Sequence, residues 1–167
     1  MSLAVTSYDF SVFIHVTAVV VGFGSTFAEA VMFPVASKMS VRHLPYVHRL
    51  QLVLNQYFAT PAILIVAATG IYQVTDRDWD WGDLWVSGGI TILIIVALIN
   101  VAFFIPTDRK LLPMIEKEIA DLGPGDIQLS QLSDEYIRKG KLEGALGALT
   151  GILMVVAIYF MTTKPGL

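Results

Sequence analysis

Two ionisable side chains lie within one long apolar stretch, and they are the first candidates for chemistry. The stretch FIHVTAVVVGFGSTFAEAVMFP, residues 13–34, contains His15 and Glu29. Both side chains are costly to place in hydrocarbon, so each needs a polar partner or a function. His15, Gly22 and Glu29 are spaced by seven residues, which places them on one face of a helix. A rise of about 1.5 Å per residue separates His15 from Glu29 by roughly 20 Å, so the two cannot share a site.

Glu29 has several polar candidate partners at a similar depth. They belong to the segment that follows it and to a later apolar stretch: Arg42, His43, His48, Arg49, Gln51, Asn55, Gln56 and Asn100. One interpretation is a carboxylate paired with Arg or His near the membrane surface. The other is a proton or ion relay, or a substrate site that opens inward. The ion-relay hypothesis uses Glu29, His48, Arg49, Asn55 and Asn100.

His15 has two interpretations as well. As a neutral imidazole it would form a hydrogen bond with a hydroxyl or amide such as Thr69, Tyr72, Gln73, Thr91 or Tyr159. As a ligand it would bind haem b or copper, because imidazole is a common axial ligand and helix bundles hold haem in their interiors. A second histidine at its depth is missing, since the other two lie near the opposite side of the membrane. Met154 is the soft ligand nearest to that depth, so a His15–Met154 site is the form this hypothesis takes.

The elements that must position these residues are four apolar helices. The chain is 55% hydrophobic and 15% charged, with a mean hydropathy of +0.67, whereas soluble domains carry about 25% charged residues. Hydrocarbon about 30 Å thick needs about 20 apolar residues per helix. The four runs that qualify are about 8–33, 50–75, 84–105 and 134–163, the third continuing amphipathically to about 122. We therefore predict an all-α bundle of four transmembrane helices, forming one integral membrane domain over residues 1–167.

Charge predicts the orientation of the bundle. The loop after the first helix and the long segment after the third contain most of the basic residues, whereas the other side has only Arg77 and Lys164. The positive-inside rule then places both termini outside and makes the helical connection between helices 3 and 4 cytoplasmic. The tryptophan-rich loop TDRDWDWGDLW, residues 75–85, suits the outer interface. The predicted location is the bacterial inner membrane, with several passes.

Small residues predict where helices approach closely. Gly22 lies on the polar face of the first helix, and Gly144, Gly147 and Gly151 form a stripe on the fourth. Small residues allow close helix packing in membranes. We expect these two faces to pack against each other.

Motifs for catalysis are missing from the sequence, which also lacks cysteine. There is no phosphate loop, HExxH or GxSxG. The leading hypothesis is therefore a non-enzymatic accessory or structural subunit, or a homo-oligomer. Its expected partners are membrane lipid, other membrane subunits or a second copy, and not nucleic acid. The alternatives are a haem- or copper-binding protein that uses His15, and a small proton-coupled transporter that uses Glu29.

Four short segments resemble a known family. They are FIHVTAVVVGFGSTFAEAVMFP, TPAILIVAATGIYQV, WGDLWVSGGI and PTDRKL. Together they resemble the bacterial predicted membrane proteins grouped as domain of unknown function 2269, and the resemblance covers all four helices. It implies the topology and no mechanism. More distantly, His15 followed by Gly22 is similar to CopD-like and HemJ-like membrane proteins, which implies copper or haem at His15.

Overall fold

The structure, a computed structural model, describes residues 5–125 and 127–166. Within these residues the chain is helical and contains no strand. The α-helices are α1 (Ser7–Met39), α2 (Leu44–Leu54), α3 (Thr60–Asp76), α4 (Leu84–Ile99), α5 (Ile105–Leu122) and α6 (Asp134–Thr163). Short 3-10 turns occupy Val41–His43 and Leu129–Gln131.

Two pairs of these helices join end to end without a loop. A π-helical segment, Asn55–Ala59, connects α2 to α3, and a second, Asn100–Phe104, connects α4 to α5. The result is four continuous helices that are long and apolar enough to cross a membrane. We refer to them as the first span (α1), the second (α2–α3), the third (α4–α5) and the fourth (α6). The predicted all-helical class and the four spans are confirmed.

The spans form a closed ring. The first contacts the second through α3, the second contacts the third, the third contacts the fourth through α4, and the fourth returns to the first. Large apolar side chains point away from this ring, where they suit lipid contact. Examples are Phe13, Val20, Leu64, Leu98 and Ile152, each more than 60% exposed.

The two ends of the bundle differ in composition. At one end, which we call the tryptophan end, the loop 77–83 meets the start of α1 and the end of α6. Arg77 lies 3.8 Å above the Tyr8 ring, and Lys164 lies 4.1 Å from the Trp79 ring centroid. Trp85 and Val86 are buried next to them.

The opposite end, which we call the basic end, contains the turn 40–43 and the described residues 123–125 and 127–133. Arg42 joins these parts of the chain by donating hydrogen bonds to the carbonyl oxygens of Gly123 and Gly125. An apolar cluster beneath them fixes α2 against α5 and α6: Ala36, Val41, Leu44, Val47, Leu111, Ile115, Ile127, Leu132 and Tyr136.

Local capping signals set where two spans begin. Thr6 and Asp9 form a capping box at the start of α1, where each side chain accepts a hydrogen bond from the other's backbone N–H. Ser133 caps α6 by accepting from the Tyr136 N–H. At the basic end the helices are longer than the apolar runs. The first span passes through Pro34 to Met39, and the second begins at Leu44 rather than near residue 50.

Both π-helical segments have the same sequence pattern. Each begins at an asparagine and is followed, six residues after it, by a proline: NQYFATP in 55–61 and NVAFFIP in 100–106. In each, the backbone N–H of the residue before the proline bonds to the asparagine carbonyl five residues back. Proline has no N–H and cannot continue the normal i to i−4 ladder. Such one-turn π segments are rare and occur often at functional sites.

Candidate functional site

A cavity of about 320 Å³ lies between the four spans, toward the basic end. All four spans contribute to its wall, and the two asparagines that start the π-helical segments are part of it. The lining also contains two glutamates and a stripe of glycine backbone. The polar and small residues are Gly22, Thr26, Glu29, Gln51, Asn55, Asn100, Gly140, Glu143, Gly144, Gly147 and Thr150.

Side-chain oxygens without hydrogen-bond partners are concentrated in this wall. Five lining residues each have one buried oxygen that no described group bonds: Glu29 Oε1, Gln51 Oε1, Asn100 Oδ1, Glu143 Oε1 and Thr150 Oγ1. Buried polar atoms are almost always hydrogen-bonded. The lining residues include no Lys or Arg. The cavity therefore offers acceptor oxygens and two carboxyl groups, and suits a positively charged or donor-rich occupant.

A chain of hydrogen bonds fixes the direction of these oxygens. The Thr60 hydroxyl donates to the Asn55 carbonyl at 2.7 Å, so it accepts from the Asn100 amide nitrogen at 2.9 Å. That leaves Asn100 Oδ1 free. The Asn55 amide nitrogen donates to Glu29 Oε2 at 3.3 Å, which leaves Glu29 Oε1 free. The two π-helical segments thus position both the amides and the carboxylate.

A second polar group lies beside the cavity and joins α2, α5 and α6. His48 Nδ1 lies 2.7 Å from Asp108 Oδ1, and His48 Nε2 lies 2.8 Å from the Tyr136 hydroxyl. His48 and Asp108 are fully buried, and Glu143, at 8% exposure, is nearly so. One ligand-type atom from each of His48, Asp108 and Glu143 lies within 4.8 Å of the other two. We call these three residues the His–Asp–Glu cluster. Glu143 belongs to both the cluster and the cavity wall.

The structure brings together some of the residues that the ion-relay hypothesis names. Glu29 and Asn55 form a hydrogen bond, and Asn100 lines the same cavity. His48 bonds to Asp108 and Tyr136. Arg49 lies on the surface, two-thirds exposed, and pairs with Glu116 at 2.7 Å.

His15 and Met154 lie in different surroundings. His15 Nδ1 lies 2.8 Å from the Thr69 hydroxyl, one of the partners that the sequence suggests. The ring also contacts the second span at Gly70, where an added Cβ would lie 3.6 Å from it. Met154 lines the cavity, and His15 does not.

The glycines divide into packed and open positions. An added Cβ at Gly22 would lie 3.2 Å from Ala62, so Gly22 packs against the second span rather than the fourth. At Gly144, Gly147 and Gly151 an added Cβ would meet no atom within 4 Å. These glycines therefore do not form the expected close contact between the first and fourth helices. Gly144 and Gly147 instead leave bare backbone along the cavity.

Close helix contact occurs at two glycines that the sequence reasoning did not select. An added Cβ at Gly88 would lie 2.5 Å from the Phe160 ring, and one at Gly89 would overlap the end of Met161. These contacts join α4 to α6 near the tryptophan end.

The sequence reasoning also missed two residues of the cluster, Asp108 and Glu143, and Tyr136 beside them. Each acid borders a charge-free run of the sequence, Asp108 after residues 84–107 and Glu143 before residues 144–163, so neither stands out as buried. A usable signal was present in α6, where Tyr136 and Glu143 are seven residues apart, with Gly147 and Thr150 on the same helical face.

The helices and their buried polar interior define a polytopic helical membrane protein. A family model described as "Predicted integral membrane protein (DUF2269)" matches residues 10–165. The chain belongs to this family, as its sequence segments suggest. Comparison with curated proteins and with solved structures gives no significant match.

Proposed function

We propose that this protein binds a small cation in the cavity and carries it across the membrane. The observation that supports the proposal is the set of five unpartnered oxygens in the cavity wall, two of them on glutamates. A bundle that only needed to pack would gain by replacing such groups with apolar ones, because buried polar atoms without partners are costly.

The proposal develops the transporter hypothesis, with Glu29 and Glu143 as the charged groups of the wall. Asn55, Asn100 and Gln51 add neutral oxygens, which can replace water around a cation. The bare backbone of Gly144 and Gly147 keeps the cavity wide enough for an ion with some of its water.

The proposed orientation places the basic end in the cytoplasm and the tryptophan end with both termini outside. Its support is the excess of Lys and Arg at the basic end and the aromatic residues at the other. In this orientation, in a bacterial inner membrane, the cavity lies nearer the cytoplasm. Reaction of single cysteines introduced at Ser40 and at Asp80 with a membrane-impermeant thiol reagent in intact cells tests it. We expect labelling at Asp80 alone; labelling at Ser40 alone would contradict the orientation.

Transport is tested with the full chain reconstituted in liposomes. The probes are the proton, Na⁺, K⁺, Mn²⁺ and Zn²⁺, each followed with an ion-sensitive dye inside the vesicles. We expect flux of at least one cation above that of empty liposomes. Glu29→Gln and Glu143→Gln should each reduce it at least tenfold, because each removes a charge from the wall.

Glu116→Gln is the matched control. It makes the same chemical change at an exposed residue that pairs with Arg49 outside the cavity. Its flux should equal that of the wild type. Wild-type flux no greater than that of empty liposomes for every probe would overturn the proposal.

The accessory-subunit and homo-oligomer hypotheses stay open beside this one, as does haem or copper at His15. Purification from the native membrane tests them together through co-purifying chains, oligomer mass and visible absorbance. A Soret band lost in His15→Ala would support haem, and a stoichiometric partner would support a subunit role.

A further inference from the structure

The His–Asp–Glu cluster has the composition of a metal site. It combines one imidazole with two carboxylates, contributed by α2, α5 and α6. Their ligand-type atoms already lie within 4.8 Å of one another. Around a tetrahedral ion with bonds of about 2.0–2.1 Å, ligand atoms lie roughly 3.3 Å apart. Closing from 4.8 Å to that separation requires the ligand atoms to move by up to about 1.5 Å, and Nδ1 and Oδ1, 2.7 Å apart, would move slightly away from each other.

Two oxygens of the cluster are buried and accept no hydrogen bond from an N–H or hydroxyl group of the described residues, although the Asp108 and Glu143 carboxyl groups hydrogen-bond to each other. These two oxygens are Asp108 Oδ2, on a fully buried residue, and Glu143 Oε1. The residues come from different helices, so the convergence does not follow from the periodicity of one helix. A carboxylate oxygen buried without a described donor is costly unless a cation or a shared proton compensates it.

No Lys or Arg among the described residues forms an ion pair with the cluster. The ion pairs of the described Lys and Arg residues join Arg49 to Glu116, Arg77 to Asp76 and Lys139 to Glu135. Within the described residues the partner of Asp108 is His48, which is charged only when protonated. The two carboxyl groups are therefore open to a divalent cation, which would supply positive charge where no basic side chain does.

Tyr136 completes the arrangement from the far side of the imidazole. Its hydroxyl contacts Nε2, which leaves Nδ1 facing the carboxylates. Metal-binding histidines commonly have the second ring nitrogen hydrogen-bonded in this way, which orients the ring. Tyr136 is buried at 1% exposure, so the ring has little freedom to turn.

We propose that His48, Asp108 and Glu143 bind one divalent first-row transition metal ion, in the range from Mn²⁺ to Zn²⁺. Imidazole suits Zn²⁺ and Fe²⁺, carboxylates suit Mn²⁺, and no cysteine is available for softer ions. On binding, His48 coordinates through Nδ1 as a neutral ring whose hydrogen lies on Nε2 and is donated to the Tyr136 oxygen, and the protons held on the Asp108 and Glu143 carboxyl groups leave to solvent. Glu143 also lines the cavity, so the metal that this site binds would be the cation that the protein transports. The physiological role of the site therefore rests on the proposed transport function.

The test is equilibrium binding to the purified full chain in detergent, after removal of metal with a chelator. Zn²⁺ and Mn²⁺ are titrated separately by calorimetry, and bound metal is counted by mass spectrometry after gel filtration. We expect one ion per chain. Glu143→Gln and Asp108→Asn should weaken binding at least 100-fold, and Tyr136→Phe about tenfold, as for the loss of an outer partner of a metal-binding histidine.

Glu116→Gln serves as the control and should bind as the wild type does. If Asp108→Asn fails to fold, Glu143→Gln carries the test, since Glu143 lies at the cavity wall. Absence of saturable binding by the wild type, or unchanged binding in Glu143→Gln, would overturn the metal site.

Binding and flux separate this inference from the proposed function. Stoichiometric metal binding with no flux would support the site and overturn transport. Flux of a monovalent cation without divalent binding would support transport and overturn the site.

Discussion

The two ends of this bundle use glycine in opposite ways. Near the tryptophan end, Gly88 and Gly89 allow Phe160 and Met161 of α6 to press against the backbone of α4. Toward the basic end, Gly144 and Gly147 face a cavity, and no described atom lies within 4 Å of a Cβ added to either glycine. Glycine occupies both places, and the side chain opposite it determines whether the helices pack closely or leave a cavity between them. A stripe of small residues in a membrane helix therefore does not by itself indicate a helix contact.

His15 and His48 also differ in their burial and in their hydrogen-bond partners. His15 has one resolved side-chain partner, Thr69, and is partly exposed, whereas His48 is fully buried and bonded at both ring nitrogens. Polar interactions are concentrated toward the basic end, where the cavity lies between the four spans. The substitutions below test this difference between the two ends.

The largest expected effect on stability comes from breaking the buried pair of the His–Asp–Glu cluster. Asp108→Ala leaves His48 Nδ1 without its partner while Nε2 keeps the Tyr136 hydroxyl, and should lower the free energy of unfolding by about 3–5 kcal/mol. Glu116→Ala breaks an exposed pair and should cost less than about 1 kcal/mol. Denaturant-induced unfolding in detergent, followed by circular dichroism, measures both. Equal losses would show that the cluster is not a stability element.

The glycine contrast is tested with one substitution at two positions. Gly89→Val forces bulk into Met161 and should lower stability by about 1–3 kcal/mol. Gly147→Val enters open space and should change stability by less than about 0.5 kcal/mol. The unfolding midpoints of the two variants in one detergent give the comparison. A Gly147→Val loss as large as that of Gly89→Val would refute the distinction between packed and open glycines.

Removal of the tyrosine hydroxyl should have a smaller effect. Tyr136→Phe preserves the ring and deletes the bond to His48 Nε2, for an expected loss of about 1–1.5 kcal/mol, near the upper range for membrane hydrogen bonds. Tyr46→Phe, at an exposed ring, is the control and should be neutral. A neutral Tyr136→Phe would mean that His48 Nε2 does not depend on this hydroxyl.

The smallest effect is expected near the tryptophan end. Thr69→Val removes the hydroxyl that contacts His15, with an expected loss of about 0.6 kcal/mol, the average for hydrogen bonds between membrane helices. The measurement is again the unfolding free energy, compared with Tyr136→Phe in the same detergent. If Thr69→Val lowered the free energy of unfolding by more than Tyr136→Phe does, the hydrogen bond of His15 would contribute more to stability than the Tyr136 bond of His48, contrary to this expectation.

The fold was predictable because membrane helices are encoded locally. Four apolar runs of sufficient length specify four spans, since hydrocarbon leaves the backbone no other partner than itself. The ends of the helices were less predictable, because α1 continues through Pro34 and α2 begins six residues before the apolar run. Charged residues marked the edges of the runs and not the ends of the helices.

The site was predictable only in part, because it depends on contacts between helices. The pair Glu29–Asn55 lay among the sequence candidates, and Asn100, another candidate, lines the same cavity. The cluster was not found, since His48 meets residues 60 and 88 positions away. Periodicity along one helix gives the face that a residue occupies, but not which residue of another helix lies opposite.

The shared pattern of asparagine and proline in the two π-helical segments has a consequence for chain length. Each segment holds five residues where a regular helix closes its turn with about four. Deleting one residue from 56–58 would restore a regular helix and rotate all of α3 by about 100° relative to α2. Ala62 would then turn away from Gly22, and Thr69 away from His15. The numbers of residues between Asn55 and Pro61, and between Asn100 and Pro106, therefore set the register of the second and third spans, and single-residue deletions there should be less tolerated than most substitutions.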